Sequence, residues 1–416
     1  MKPAPSGAGL FVCDGGRRGG RNPRRRSEVR EPHLKRSAFG CTPAQVRYNE
    51  NMKIPFDDIG PAKILQLYAP QVPFRAVVVV DNTARGPAIG GVRVSKDVDV
   101  EEVFRLARTM TFKSALADLP HGGGKAGIIA DPKDPNLERI FRVFARMIGD
   151  LREYIPAPDM GCHEESMAWI DDEIGRVAGL PEEIGGLPLD KLGATGFGLA
   201  ACAEIACEHA GLKLSGTRVA IQGFGSVGKA AARFLAAKGA MVVAVSDSRG
   251  GVHSPGGLTV GKLLAAKEGE GTVTACGEGK VMRGEDIFKV DCDILIPAAT
   301  PDVIHEGNAG EIKARLILEG ANIPATARAE GILAERGVLI VPDFIANAGG
   351  LIMAAMEYAR RTEGEAFAAI GEKIRANTGR VLDKAKSEGV LPREAAERLA
   401  RERVRDAMRY REYTYS

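Results

Sequence analysis

Three side chains of this sequence have the types and spacing for acid–base chemistry at an amine: Lys113, Lys125 and Asp159. The lysines lie in TMTFKSALADLPHGGGKAGIIAD (109–131) and the aspartate in PAPDMG (156–161). Lys125 directly follows Gly122, Gly123 and Gly124, so no Cβ stands between it and an approaching molecule. Lys113 shares an apolar stripe at helical spacing with Val103, Leu106, Met110 and Ala117. A lysine on a buried stripe is costly unless it meets an anion. Together they suggest a pocket for a carboxylate beside a reactive amine. The plainer alternative is a glycine turn with solvated lysines.

A second group of residues is suited to holding a cofactor. TRVAIQ (217–222) reads as a buried strand, GFGSVG (223–228) has the G-x-G-x-x-G spacing, and MVVAVS (241–246) is a second strand ending at Asp247. Within one strand–helix–strand unit this is the dinucleotide fingerprint. Gly223, Gly225, Ser226, Val227 and Gly228 would cradle a pyrophosphate at the helix N-terminus, and Asp247 would take the ribose hydroxyls. A carboxylate repels a 2′-phosphate, which favours NAD, while Arg249 keeps NADP open. A tight turn without ligand is the competing reading.

The elements that must position these groups follow from pattern. Ala76–Val80 reads as a strand and residues 81–91 as a glycine-rich connection. Asp99 with Glu102 forms a capping-box signature ahead of the helix that carries Lys113. A short strand is expected to start at Gly127, and helices over 136–150 and 163–178. Asp159 is expected in a loop stiffened by Pro156 and Pro158. DILIPA (293–298), RLILEG (315–320) and VLIVPD (338–343) read as further strands whose carboxyl ends face a ligand crevice. From Gly349 the chain is helical, and its last amphipathic stretch (392–409) either packs on the first domain or contacts another subunit.

With 416 residues, 44% hydrophobic and 27% charged, the chain has enough length for two or three domains. No apolar run reaches the ~20 residues that span a bilayer. Seven cysteines without metal-ligand spacing predict reduced thiols, no metal and a cytoplasmic setting. The first 51 residues carry eleven Lys/Arg and four acids, a net +7 within an overall +3, which leaves the body at −4. That argues against nucleic acid as the body's partner. Residues 1–51 are a polyanion-binding disordered arm, a targeting peptide, or sequence ahead of a true start at Met52.

LPHGGGKAGIIADP (119–132), PAPDMG, ATGFG (194–198), GFGSVG, EGAN (319–322) and PDFIANAGG (342–350) occur here in the order in which they occur in glutamate/leucine/phenylalanine/valine dehydrogenases. The sequence resembles that family from about Met52 to its end. The resemblance implies reversible oxidative deamination of an L-amino acid to a 2-oxo acid and ammonia, with NAD or NADP as hydride acceptor. It implies a homo-oligomer, often a hexamer. Lys125 then matches the catalytic lysine, Asp159 the aspartate that moves protons at the amine nitrogen, and Lys113 the anchor of the substrate carboxylate. Thr195, Asn322 and Asn347 match positions near the cofactor amide and ribose. Ser226 stands where many relatives carry asparagine.

Where glutamate enzymes of the family hold the side-chain carboxylate, this sequence has Ile89, Met110 and Ala354. A buried carboxylate without a partner costs several kcal/mol, so an uncharged, apolar substrate side chain is expected. Glutamate is the runner-up. A dinucleotide-binding regulatory protein without chemistry is the reading from another class, opposed by the intact Lys113, Lys125 and Asp159. The implied architecture is two α/β domains across a cleft: a substrate and oligomerisation domain (52–185), a Rossmann domain (186–346), and C-terminal helices (347–416) returning to the first.

Overall fold

The computed structural model describes residues 54–411 other than 71 and 73, so the basic stretch 1–51 lies outside the described residues. Five strands make the first sheet: β1 (Lys63–Ala69), β2 (Phe74–Asn82), β3 (Ala88–Ser95), β4 (Gly122–Ile129) and β5 (Tyr154–Pro158). Their order is β1-β2-β4-β3-β5. β2 pairs antiparallel with β1 and β4, while β3 runs parallel to both β4 and β5. Val77 to Val80 of β2 are all buried, the continuous apolar run expected of an interior strand. Helices α1 (Val100–Leu116), α2 (Leu137–Met147) and α3 (Glu164–Ile174) cover this sheet.

Three local expectations change here. The GGGK stretch is strand β4 rather than a loop, although glycine is a poor strand former. The reason is α1, which crosses the strand closely. A Cβ on Gly123 would lie 2.0 Å from the backbone nitrogen of Thr111, and one on Gly127 would lie 2.7 Å from Val103. Gly123 and Gly127 therefore admit the helix, while a Cβ on Gly122 or on Gly124 would meet Asn82 O at 1.7 Å or the Tyr154 ring at 2.9 Å. Asp159 follows directly on β5, whose prolines are tolerated because an edge strand leaves one row of backbone groups unpaired. At the start of α1, Asp99 accepts from the Glu102 amide at 2.8 Å, but the Glu102 side chain turns to Arg93, so only half of the capping box forms.

The second sheet has seven strands: β6 (Arg218–Gln222), β7 (Met241–Asp247), β8 (Gly250–His253), β9 (Lys280–Met282), β10 (Ile294–Pro297), β11 (Leu316–Leu318) and β12 (Leu339–Val341). The order β12-β11-β10-β6-β7-β8-β9 is parallel from β12 to β7, with β8 and β9 antiparallel at the edge. Around it lie α4 (Leu189–Leu192), α5 (Ala194–His209), α6 (Ser226–Ala237), α7 (Val260–Gly269), α8 (Glu306–Ala309), α9 (Ala327–Glu335) and α10 (Asp343–Ala346). Separate buried clusters fill its two faces, as an α/β sheet requires.

The chain ends in α11 (Gly349–Tyr358), α12 (Glu363–Glu388) and α13 (Pro392–Met408). α12 opens on a full capping box between Thr362 and Glu365 and closes on Gly389 in the left-handed conformation. One core joins α5, α11, α12 and α13 to Ala115, Leu116 and Leu119 at the end of α1. α13 thus packs on α1, and the amphipathic stretch 392–409 is an intramolecular helix.

Candidate functional site

Lys125 and Asp159 reach each other across β3. Val92 pairs with Ala126 of β4 on one side and with Pro158 of β5 on the other. On one face of β3 the alternating residues are Ile89, Gly91 and Arg93. A Cβ on Gly91 would stand 2.6 Å from that of Asp159 and 3.1 Å from Lys125 Nζ. The missing side chain opens the passage through which Lys125 Nζ meets Asp159 Oδ2 at 2.9 Å.

Arg93 Nε donates to the same Oδ2 at 2.9 Å. Burial by itself would raise the Asp159 carboxyl, but the Lys125 and Arg93 charges overcome it and hold the group below the ordinary carboxylate range. Its loop is fixed by Cys162, whose Sγ donates to Val92 O at 2.9 Å and accepts from the Asp159 amide at 3.3 Å. Arg93 was not among the residues singled out from sequence. The period-two spacing from Ile89 was the available signal, and it required knowing that GPAIGGVR is a strand.

Lys113 lies in the last turn of α1. Burial pushes its pKa down to about 8, with repulsion from Lys125 adding to this and attraction by Asp343 and Asp159 opposing it. Asp343 begins α10, so the Lys113 amine lies within electrostatic reach of groups from both sheets. An amine with a pKa near 8, flanked by another amine and carboxylates, can hold a carboxylate and exchange protons near neutral pH.

Ile89 and Ala354 fall into one buried apolar cluster with Ile155, Ala157 and Ala178. Met110 is half-buried one turn before Lys113 and does not join it. Tyr358 of α11 packs against the cluster, and its neighbour Glu357 is buried and accepts from the amides of Gly179, Leu180 and Leu187 at 2.8–3.0 Å.

At the second sheet, Gly223 has φ +92° and a Cβ on Gly228 would lie 1.9 Å from Gly223 O, so the turn tolerates no side chain at either position. Around Gly225, by contrast, a Cβ would meet nothing within 4 Å. With Ser226 it is exposed at the N-terminus of the twelve-residue α6, a cradle that fits a pyrophosphate. Val227 is half-buried behind it. A cavity of about 530 Å³ opens beside the ends of β6 and β7, lined by Gln222, Ser246 and Asp247. Asn347 Nδ2 donates to Asn322 Oδ1 at 3.0 Å, and Asn347 Oδ1 is buried without a hydrogen-bond partner. Thr195, at the start of α5, comes within 3.1 Å of where a Cβ on Gly350 would stand. The residues present fit a dinucleotide.

Asp247 departs from its expected part. Its carboxylate accepts from Lys267 Nζ at 2.9 Å, from the amides of Val273 and Arg249 at 2.8 and 2.9 Å, and from Thr272 Oγ1 at 3.2 Å. Its side chain is 3% exposed. These partners outweigh burial and keep its pKa low. All the acceptor positions that would serve ribose hydroxyls are taken within the chain. Repulsion of a 2′-phosphate, the ground for favouring NAD, is correspondingly muted by Lys267. Among the described residues no helix is long and apolar enough to cross a membrane, and no cluster of acids, histidines and cysteines is suited to a metal.

Residues 185–412 match the family described as Glutamate/Leucine/Phenylalanine/Valine dehydrogenase, and residues 70–176 match the Glu/Leu/Phe/Val dehydrogenase dimerisation domain. Glutamate dehydrogenase of Aeropyrum pernix is 41% identical over 355 residues, 79% of this chain and 85% of that one. A solved hetero-hexameric glutamate dehydrogenase of Thermus thermophilus in a leucine-bound form is 32% identical with TM-score 0.75, over 84% of this chain and 90% of that one. L-tryptophan dehydrogenase of Nostoc punctiforme is 26% identical with TM-score 0.68, over 84% and 97%. Relatives named as NAD-specific and as NADP-specific both occur. With its two sheets, its paired lysines and its dinucleotide turn, the chain belongs to the glutamate/leucine/phenylalanine/valine dehydrogenase family, and is an NAD(P)-dependent amino acid dehydrogenase.

Proposed function

We propose that this dehydrogenase acts on L-amino acids whose side chains are uncharged and apolar. The observation that carries the reading is the joint burial of Ile89 and Ala354 in one apolar cluster. A γ-carboxylate placed among these apolar side chains would be desolvated, at a cost of several kcal/mol where it found no cation. Leucine is named in the bound form of the Thermus relative and tryptophan in the name of the Nostoc enzyme; both are uncharged. Glutamate, named in the most similar relatives, is the second reading.

In this mechanism the protonated Lys113 holds the substrate α-carboxylate. Asp159 and Lys125 share and move a proton at the reacting nitrogen, and Lys125 activates the water that adds to the imine. The bound nicotinamide supplies the hydride acceptor. The turn from Gly223 to Gly228 holds its pyrophosphate, and Thr195, Asn322 and Asn347 orient the end nearer the substrate. The substrate site belongs to residues 52–185 with Ala354 added from α11, the cofactor to 186–346, and closure about the Asn347 segment excludes water. The dimerisation-domain match supports a homo-oligomer, with a hexamer as the expected size. Free cysteines at five described positions support a reducing, cytoplasmic setting.

A panel of the twenty amino acids assayed with NAD and NADP on protein begun at Met52 tests this. The highest kcat/KM is expected for an aliphatic or aromatic amino acid, with glutamate lower by at least ~100-fold. Glutamate as the best substrate would overturn the reading.

A further inference from the structure

One guanidinium far along the sequence from the site holds together the loops that face the cofactor. Arg393, at the start of α13, donates to three carboxylates from three segments. Nη2 reaches Glu319 Oε2 at 2.6 Å, Nε reaches Glu330 Oε1 at 2.6 Å, and Nη1 reaches Asp343 Oδ1 at 3.0 Å. The three acidic side chains are 0%, 6% and 3% exposed. Such acids are not packed together without a strong reason, because desolvation and mutual repulsion both oppose it. Burial first, then Asp343 and Glu330, push Glu319 up to about 8 against the pull of Arg393.

What the cluster constrains is visible in the hydrogen bonds leaving it. Glu319 Oε2 accepts from the Asp343 amide at 2.9 Å, tying EGAN to the start of α10. Asp343 Oδ2 accepts from the Ile323 amide at 3.0 Å. Ile323 has φ +48° and is half exposed. A β-branched residue in the left-handed region is strained and persists only where its surroundings impose it. The Ile323 carbonyl is held by the Asp302 amide at 3.0 Å. Between these two restraints and Asn347 stands Asn322, whose Oδ1 accepts from Asn347. The other end of α13 holds α1: Arg403 donates to the carbonyls of Ala115 and Leu116 at 3.0 and 2.8 Å. One helix therefore bears on both the segment of Lys113 and the segment of Asn322.

We propose that Arg393 is a positioning residue for the dehydrogenase reaction. By clamping Glu319, Glu330 and Asp343 it imposes the strained backbone at Ile323 and sets Asn322 and Asn347 toward the cofactor. It touches neither substrate nor cofactor. The inference rests on the cofactor reading of Asn322 and Asn347 given above.

The test is Arg393→Met in the full chain, with Arg393→Lys beside it and Glu319→Gln added to each. Cofactor kinetics are run at saturating amino acid and amino acid kinetics at saturating cofactor, and cofactor binding is read from the fluorescence of the reduced dinucleotide. Arg393→Met is expected to raise the cofactor KM and Kd at least tenfold while the amino acid KM moves less than threefold. Arg393→Lys should recover part of the loss. Glu319→Gln should recover more of it in the Met background, because a neutral amide needs no guanidinium. A merely structural arginine would lower the melting temperature and move neither cofactor constant, which overturns the proposal. So does a Met variant that Glu319→Gln fails to improve. Should Arg393→Met not fold, the Lys variant carries the same comparison, since one ammonium cannot serve three carboxylates in this geometry. Asn322→Ala and Asn347→Ala separate the two levels. If they leave cofactor binding intact, the cofactor reading fails. If they weaken it and the Arg393 variants do not, only the present inference fails.

Discussion

Two aspartates of this enzyme each meet a lysine at 2.9 Å, Asp159 with Lys125 and Asp247 with Lys267, and the pairs do different work. Besides its lysine, Asp159 is held by another side-chain cation, Arg93, and its side chain is 22% exposed. Asp247 accepts from two backbone amides and a threonine as well as its lysine, and its side chain is 3% exposed. A carboxylate held by side chains can trade partners when a substrate amine arrives. One that closes backbone turns cannot do so without unfolding them. The contrast teaches that an acid in a recognised motif is a ligand only if its oxygens are not already committed.

The comparison breaks most visibly at Lys125. Lys125→Ala is expected to lower kcat by at least ~10³-fold, near the upper range for a general acid–base group. Asp159 keeps Arg93, so the melting temperature should move little. Activity near the wild-type level, measured by reduced-dinucleotide absorbance, would rule out the role given to this pair.

A smaller effect is expected at Lys113 and carries a pH signature. Its folded pKa is about 8 against an ordinary 10.5. As an anchor it works while protonated, so the KM of the 2-oxo acid, which has no titrating group in this range, should climb as pH rises through 8. In Lys113→Met that KM should be ~100-fold higher and flat across the same window. The stability sign is opposite. A lysine whose folded pKa is lowered destabilises the fold fully below about 8 and is relieved between there and 10.5. Urea midpoints from pH 7.5 to 10 in the wild type and in Lys113→Met would expose that difference.

The smallest effect on activity belongs to Asp247. Asp247→Ala should cost about 2–4 kcal/mol of stability, since two amides and an ammonium lose their acceptor. The KM for NAD or NADP should change less than ~3-fold. A large rise in cofactor KM with unchanged stability would make Asp247 a ribose ligand after all and erase the distinction between the two pairs.

How far the sequence reached depends on what each feature rests on. The strand–GFGSVG–helix unit was legible because it is local: the positive φ of Gly223 and the contact of Gly228 with Gly223 arise within six residues. The helix carrying Lys113 was legible, but its buried face runs through Val103, Phe104, Ala107, Thr111 and Ser114, and the expected stripe of Leu106, Met110 and Lys113 is only half-buried beside it. The packing role of GGGK is not legible, because the groups that need those glycines, Asn82 for Gly122, Thr111 for Gly123 and Tyr154 for Gly124, are brought there by the fold rather than by spacing. Arg93 stayed hidden because glycine-rich β3 does not look like a strand.

The sequence by itself determined the order of the motifs, the dinucleotide turn, the helix that presents Lys113 and the loss of polar residues at Ile89, Met110 and Ala354. The turn and the helix are backbone facts carried by neighbours along the chain, whereas the change at Ile89, Met110 and Ala354 stands out only against the family resemblance. Tertiary structure alone decided which charges meet: Lys125 with Asp159 over Gly91, Asp247 with Lys267, and Arg393 with carboxylates 74, 63 and 50 residues away. An ion pair depends on distance and burial, and both are set only when the sheets and the C-terminal helices close around them.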